Sequence, residues 1–236
     1  MSAQIPAETQ IIVFDAVGTL IYPSPSVADI YVSVISHYAE APVDSGIVRN
    51  RIRQALAERS DAINQQTNEE EEKAFWLRLI EDLCPDKSVV SECFRDLFTH
   101  FALPASWRCF PDAEGVLSGL AARGYTTVIG SNFDSRLNQV CDALEPLKPA
   151  HHRVISSEIG WRKPSPEFFR AISRLTGVTE SQILMIGDDL TNDVEGAQRA
   201  GCHAIWIRRE KTGDAPDRYS EVPQIASLQE LLAKSP

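Results

Sequence analysis

The sequence predicts an α/β fold, a parallel sheet with crossover helices that is interrupted near its start by a block of helices. Three observations predict it. The apolar run Ile11-Ile12-Val13-Phe14 ends abruptly at Asp15, as a buried strand does when it delivers one charged side chain to a sheet edge. From about Asp112 onward, short apolar runs alternate with helical patterns, which is how a parallel sheet with crossover connections reads. Between Pro23 and Pro104 no strand pattern occurs, and apolar residues instead recur at three- and four-residue intervals.

Four amphipathic helices are expected in that block: Val27 to Glu40, Ile47 to Ile63, Glu70 to Leu83 and Val89 to Phe101. Ala74-Phe75-Trp76-Leu77, with Leu79 and Ile80, supplies a wide apolar surface. Prolines at positions 23, 25, 104 and 111 punctuate the two ends. The chain therefore divides into a core of residues 1–22 and 105–236 and an all-helical cap of residues 23–104. The acidic run Glu69 to Glu72 reads as a solvated first helical turn, where carboxylates suit the helix dipole.

In the core, helices are expected over Asp112 to Arg123, Ser135 to Leu144, Pro166 to Thr176 and Val194 to Ala200. Strands are expected over Thr126 to Gly130, Arg153 to Ser156, Ile183 to Ile186 and Ala204 to Ile207. Chemistry-bearing residues follow the strands. They are Asp15 with Gly18-Thr19, then Ser131-Asn132, then Lys163-Pro164, then Gly187-Asp188-Asp189 with Asp193. In open parallel sheets ligands sit outside the carboxyl ends of the strands, so these four pieces are expected to share one site.

Bulk properties narrow the partners. The 236 residues are 43% apolar and 24% charged, with a formal net charge of −10. That composition can bury a proper core, and the acidic balance argues against nucleic acid and anionic membranes. Met1 to Pro6 has neither a basic nor an apolar leader segment, and no apolar run approaches the roughly 20 residues needed to span a bilayer. Five scattered cysteines without a C-x-x-C pair suggest free thiols, and the expected location is cytoplasmic. Nothing in the sequence signals an oligomeric state.

One nucleophile, one small hydroxyl, one lysine and an acidic cluster suit phosphoryl transfer. Asp15 is the candidate nucleophile. Gly18 permits a tight turn whose amides approach phosphate oxygens, and Ser131 and Asn132 offer donors. Lys163 can neutralise developing charge. Asp188 is the best magnesium ligand, with Asp189 and Asp193 as further candidates; adjacent aspartates rarely serve one ion together, so one of them is expected to cap a helix or stand behind the ligands.

On these motifs the chain resembles the haloacid dehalogenase superfamily of hydrolases. Asp15 to Thr19 matches its first motif, Ser131 its second, Lys163 its third, and Gly187-Asp188-Asp189 with Asp193 its fourth. The helical insertion resembles the family's first cap class. The resemblance implies a Rossmann-like doubly wound core, a mobile cap, Mg2+, covalent catalysis through Asp15, and the backbone carbonyl of Val17 as a further metal ligand. It also implies a small phosphorylated metabolite as substrate.

Val17 departs from that pattern. Phosphatases of the family carry an aspartate there that protonates the leaving group and later activates water, and valine can do neither. Asp15-Ala16-Val17-Gly18-Thr19-Leu20 and Ser131-Asn132-Phe133-Asp134 are closer to a branch named for a rhythmically expressed insect protein, which also lacks that aspartate. Asp189, Tyr22 or a cap carboxylate are candidate substitutes. A non-hydrolytic protein that binds a phosphorylated ligand or a partner on the same fold is the alternative. Dehalogenation and phosphonate cleavage are minor ones, the latter requiring a cap lysine such as Lys73 or Lys87.

Overall fold

Six parallel strands form the centre of the computed structural model, which describes residues 4–39, 43–209 and 219–233. They are β1 (Ile11–Phe14), β4 (Thr126–Ser131), β5 (His152–Ile155), β6 (Ile183–Gly187), β7 (His203–Ile207) and β8 (Gln224–Ile225), in the order β5-β4-β1-β6-β7-β8. Phe14 pairs with Ile129 on one side and Ile186 on the other. The chain builds outward from β1 through β4 and β5, then crosses back to build β6, β7 and β8. β1 therefore lies at the topological switch, where such sheets open a crevice at their carboxyl ends.

Strand alternation sorts the core into two layers. Ile12, Phe14, Ile129, Leu184 and Ile186 face one side, with Leu117 and Leu120 of α5 (Ala113–Ala122) and Val140 of α6 (Arg136–Ala143). Ile11, Val13, Val128, Ile183 and Met185 face the other, with Phe168, Phe169 and Ile172 of α8 (Pro166–Thr176) and Ala197 of α9 (Gly196–Ala200). Helices thus cover both faces, as continuous apolar strands require. Ser165 starts α8 by accepting from the Glu167 amide, with Pro166 in the first helical position, and left-handed Gly177 ends it.

The helical block contains α1 (Val27–Tyr38), α2 (Ser45–Ser60), α3 (Glu69–Leu83) and α4 (Val90–His100), packed around an apolar cluster of its own that includes Tyr31, Ile35, Ile52, Ile80 and Leu97. Position 40, expected to extend the first helix, lies outside the described residues. Asp44 and Asn68 accept hydrogen bonds from the Ile47 and Glu71 amides, which sets where α2 and α3 begin.

Several elements differ from expectation. The chain leaves and re-enters the sheet domain through a short antiparallel pair, β2 (Ile21–Pro23) and β3 (Trp107–Cys109), too short to show periodicity. A one-turn helix α7 (Ser156–Ile159) follows β5. The chain after β6 winds as a π-helix over Leu190–Glu195 before tightening into α9. The acidic run is not uniformly solvated. Glu72 is buried against Arg59 and Thr67, and Glu69 bonds Ser135 and Ser157 across to the sheet domain. All five cysteines are free, and among the described residues no helix is long and apolar enough to cross a membrane.

Candidate active site

Asp15 follows β1 directly, and its amide donates to the Ile186 carbonyl of β6 at 2.9 Å, which holds the residue at the sheet edge. Lys163 arrives from the loop before α8. Its ammonium is fully enclosed and donates to Asp15 Oδ1 at 2.6 Å, Asp193 Oδ1 at 2.7 Å and the Gly130 carbonyl at 2.9 Å. All three donor positions of the ammonium are thereby used. Two strand ends, the loop before α8 and the π-helix after β6 meet in this one contact set.

Asp188 stands just past β6 with its backbone carbonyl accepting from Trp206 Nε1 at 3.0 Å. Thr19 Oγ1 lies 3.4 Å from its Oδ1. Oxygens of Asp15, Asp188 and Asp193 lie within 4.8 Å of one another, and an all-carboxylate set of this kind suits a hard divalent cation. Asp189 stands outside that group. Its Oδ1 accepts from the Thr191 and Asn192 amides at 2.9 Å, so it caps the π-helix rather than joining the three. Asp193 turns its second oxygen to the Asp189 amide at 3.1 Å.

Electrostatics follow from this crowding. Burial pushes the Asp15 carboxyl up, against the pull of Lys163. Burial likewise raises Asp193 to about 7, with Lys163 opposing the rise and Asp15 adding to it. Asp188 reaches solvent at the mouth, yet the surrounding protein and the charges of Asp15, Asp193 and Asp189 raise it well above the ordinary carboxylate range. Burial works against the charge on Lys163, but Asp15 and Asp193 more than restore it. One ammonium faces three carboxylates, an imbalance that a bound cation relieves.

Two glycines make the approach possible. Gly18 has φ +96°, and a methyl group there would stand 2.3 Å from Asp188 Oδ2. At Gly187 it would meet Asp193 Oδ2 at 2.0 Å. Ser131 is buried at the end of β4. Asn132, expected as a phosphate donor, holds the Lys163 backbone with part of its amide: one Nδ2 hydrogen goes to the Lys163 carbonyl and Oδ1 accepts from the Lys163 amide, each at 2.8 Å. Nothing in the sequence separated these two tasks, since an amide serves either.

Val17 is half-buried and forms part of the wall of a cavity between the sheet edge and the helical block. Among the candidate substitutes for the missing acid, Asp189 caps the π-helix, Glu69 and Glu72 hold the partners already given, and Tyr22 packs its ring on Phe110. Lys73 pairs with Glu70 at 3.0 Å, and Lys87 donates to the Glu81 and Cys84 carbonyls; neither lines the cavity. Trp161 forms an antiparallel bridge with Gln66.

Residues 9–201 match the model of the haloacid dehalogenase-like hydrolases. The chain belongs to that family. It is similar to haloacid dehalogenase-like hydrolase domain-containing protein 3 of Bos taurus, 30% identical over 167 residues, or 67% of this chain; the match spans 66% of that relative, just under two thirds of its length. It is also 30% identical over 125 residues to the phosphoserine phosphatase of Thermus thermophilus, covering 52% of this chain and 49% of that one. The fold is shared with L-2-haloacid dehalogenase from Xanthobacter autotrophicus with chloropropionic acid covalently bound (TM-score 0.67, 19% identity, 94% of this chain and 96% of that one). These haloacid dehalogenase-like relatives are hydrolases and phosphatases, and the aspartate group here can hold a metal.

Proposed function

We propose that this haloacid dehalogenase-like hydrolase is a Mg2+-dependent phosphatase that transfers the phosphoryl group of a small phosphorylated compound through Asp15. The contact of Lys163 with Asp15, Asp193 and Gly130 in one buried cluster beside Asp188 carries the reading. A pure binding protein has no need of a nucleophile held this way. In this reading residues 23–104 act as a cap over a core made of the rest.

Asp15 and Asp188, with the Val17 carbonyl, would hold Mg2+ directly. Asp193, whose oxygens accept from Lys163 and the Asp189 amide, steadies the lysine from behind. When bound, the ion offsets charge on the phosphoryl oxygens. Lys163 occupies Asp15 Oδ1, and the carboxylate's other oxygen attacks phosphorus. That oxygen–phosphorus bond forms as the ester bond breaks, and the leaving group departs with the electron pair. Water then attacks phosphorus, releasing phosphate and restoring the Asp15 carboxylate. Gly18, Thr19 and Ser131 line the phosphate's side, and Asn132 acts by placing Lys163.

Valine at position 17 supplies no proton, and general acid–base help is worth ~10²–10⁴-fold. Turnover should therefore be slow. The test is Mg2+-dependent hydrolysis of a panel of phosphate esters and acyl phosphates by wild type, Asp15→Asn and Val17→Asp. Activity lost in Asp15→Asn supports the reading, and activity kept there contradicts it. The apolar placement of Val17 favours a second reading, a non-hydrolytic phospho-ligand binder. Turnover absent in wild type but gained by Val17→Asp would select it.

A further inference from the structure

The cavity beside Val17 has a volume of about 200 Å³ and lies between the motif-bearing sheet edge and the helical block. Val17, Asn132 and Phe133 wall it from below, and Tyr31, Trp76 and Phe98 wall it from above. Val17 and Asn132 sit two residues beyond Asp15 and one beyond Ser131, so the cavity borders the strand ends that carry the proposed phosphoryl site. Among the described residues, its one charged lining residue is Arg136. That guanidinium is already engaged: it donates to Asp134 Oδ1 at 2.7 Å, Asp134 Oδ2 at 2.6 Å and the Phe98 carbonyl at 2.9 Å, with its carbon 3.6 Å from the Phe98 ring centre. No unspent charge is left to read a carboxylate, an amine or a second phosphate.

Size and chemistry point the same way. An apolar cavity of roughly 150 Å³ stays dry and accepts benzene, so this one suits a single six-membered ring. A sugar would leave most of its hydroxyls unpaired there, which disfavours it. Val17 adds an independent constraint. With no acid at that position, the leaving oxygen must depart as an anion. A phenol, with pKa near 10, leaves in that form far more readily than an alkanol whose pKa approaches the ~15.7 of water.

We propose that the cavity receives the aromatic body of an aryl phosphate monoester, the ligand class of the phosphoryl site; this rests on the function proposed above. Asp15 forms its bond to phosphorus as the bond from phosphorus to the aryl oxygen breaks. The aryl oxygen keeps the electron pair, leaves as phenolate beside Val17, and takes its proton from solvent. Water then cleaves the Asp15–phosphorus bond to release inorganic phosphate.

The test compares phenylphosphonate with methylphosphonate by calorimetry in Mg2+, alongside kcat/KM for ring-substituted phenyl phosphates and ethyl phosphate. Burying the ring should tighten phenylphosphonate roughly 30–100-fold over methylphosphonate. Phenyl phosphates should exceed ethyl phosphate at least ~10²-fold, with kcat/KM rising as the phenol becomes more acidic. Leu56→Glu, at the half-exposed rim of the cavity, should erase the binding preference, and Leu56→Met should keep it. Equal affinity for the two phosphonates overturns the proposal, whatever the enzyme hydrolyses. Equal hydrolysis of ethyl and phenyl phosphate, dependent on Asp15, also overturns it while leaving the phosphatase reading intact. A phenyl preference in binding with no turnover of any ester would uphold the cavity assignment and overturn the phosphatase reading.

Discussion

The Asn132 side chain and the Lys163 backbone form a closed pair of hydrogen bonds, each 2.8 Å, linking the end of β4 to the loop that carries the lysine. The pair explains how a loop residue is held tightly enough for its ammonium to reach three acceptors. Asn132→Ala should destabilise the protein by about 1–3 kcal/mol, since it strips partners from two backbone groups. It should lower kcat on the order of 10²-fold as Lys163 drifts. Asn132→Asp keeps the acceptor and loses the donor, so it should fall between. Chemical denaturation and steady-state kinetics check both.

Gly18 faces Asp188 so closely that no side chain fits. With φ +96° and a 2.3 Å approach to Oδ2, Gly18→Ala suffers backbone strain and collision together. It should displace Asp188, abolish any Mg2+ stabilisation and stop turnover. Gly124 also has positive φ, but a methyl group there meets nothing. Gly124→Ala should destabilise modestly and leave Mg2+ stabilisation in place. Thermal shifts with and without Mg2+ separate the two variants.

Crowded carboxylates make stability fall as pH rises. Asp193 moves from its ordinary 3.8 to about 7 in the folded chain. Between those values the folded state holds more protons than the unfolded one, so stability without metal declines across that window as pH increases. Mg2+ should reverse the trend. Its stabilisation should be larger at pH 8 than at pH 5.5, and about 2.7 kcal/mol when free ion is 100 times Kd. Asp188→Asn removes one of the repelling charges, so it should raise the melting temperature without metal and cancel the Mg2+ shift.

Much of this was legible because the signals are local. β1 announces itself as Ile11-Ile12-Val13-Phe14 running into Asp15, and α8 as Ser165-Pro166 through to Gly177. The meeting of Asp15, Lys163, Asp188 and Asp193 followed from parallel topology, which brings strand ends to one edge. Other features depend on partners distant in sequence. β2 and β3 are three residues each and exist because they pair with one another. The two roles of Glu69 and Glu72 depend on which core residues α3 meets, which charge patterning alone does not carry. The cavity is likewise invisible in sequence: Tyr31, Trp76 and Phe98 show only helical periodicity, and periodicity does not say which residues of four helices leave a gap.

Glu69 ties α3 to the sheet domain, accepting from the Ser135 amide at 2.9 Å and from the Ser135 and Ser157 hydroxyls at 3.0 and 2.5 Å. Partial burial works to raise its pKa, but these donors outweigh it and hold the carboxyl below its ordinary value. A lowered carboxyl contributes stability above its unfolded pKa and loses it as pH falls through the folded one. Protection of the α3 and α7 amides, measured against their intrinsic exchange rates, should therefore fall in acid. Glu69→Gln should show the lower protection already at pH 7, with the sheet strands unchanged.

Covalent phosphate on Asp15 tests the central claim most directly. Wild type would be mixed with acetyl phosphate and Mg2+, quenched in acid within seconds and mapped by peptide mass spectrometry. The account predicts a single phosphoryl adduct on the peptide containing Asp15, lost on hydroxylamine treatment and missing from Asp15→Asn. Without an acid–base group at position 17 the adduct should accumulate, and Val17→Asp should deplete it. Hydrolysis that proceeds with no adduct on wild type, or an adduct that persists in Asp15→Asn, would contradict it.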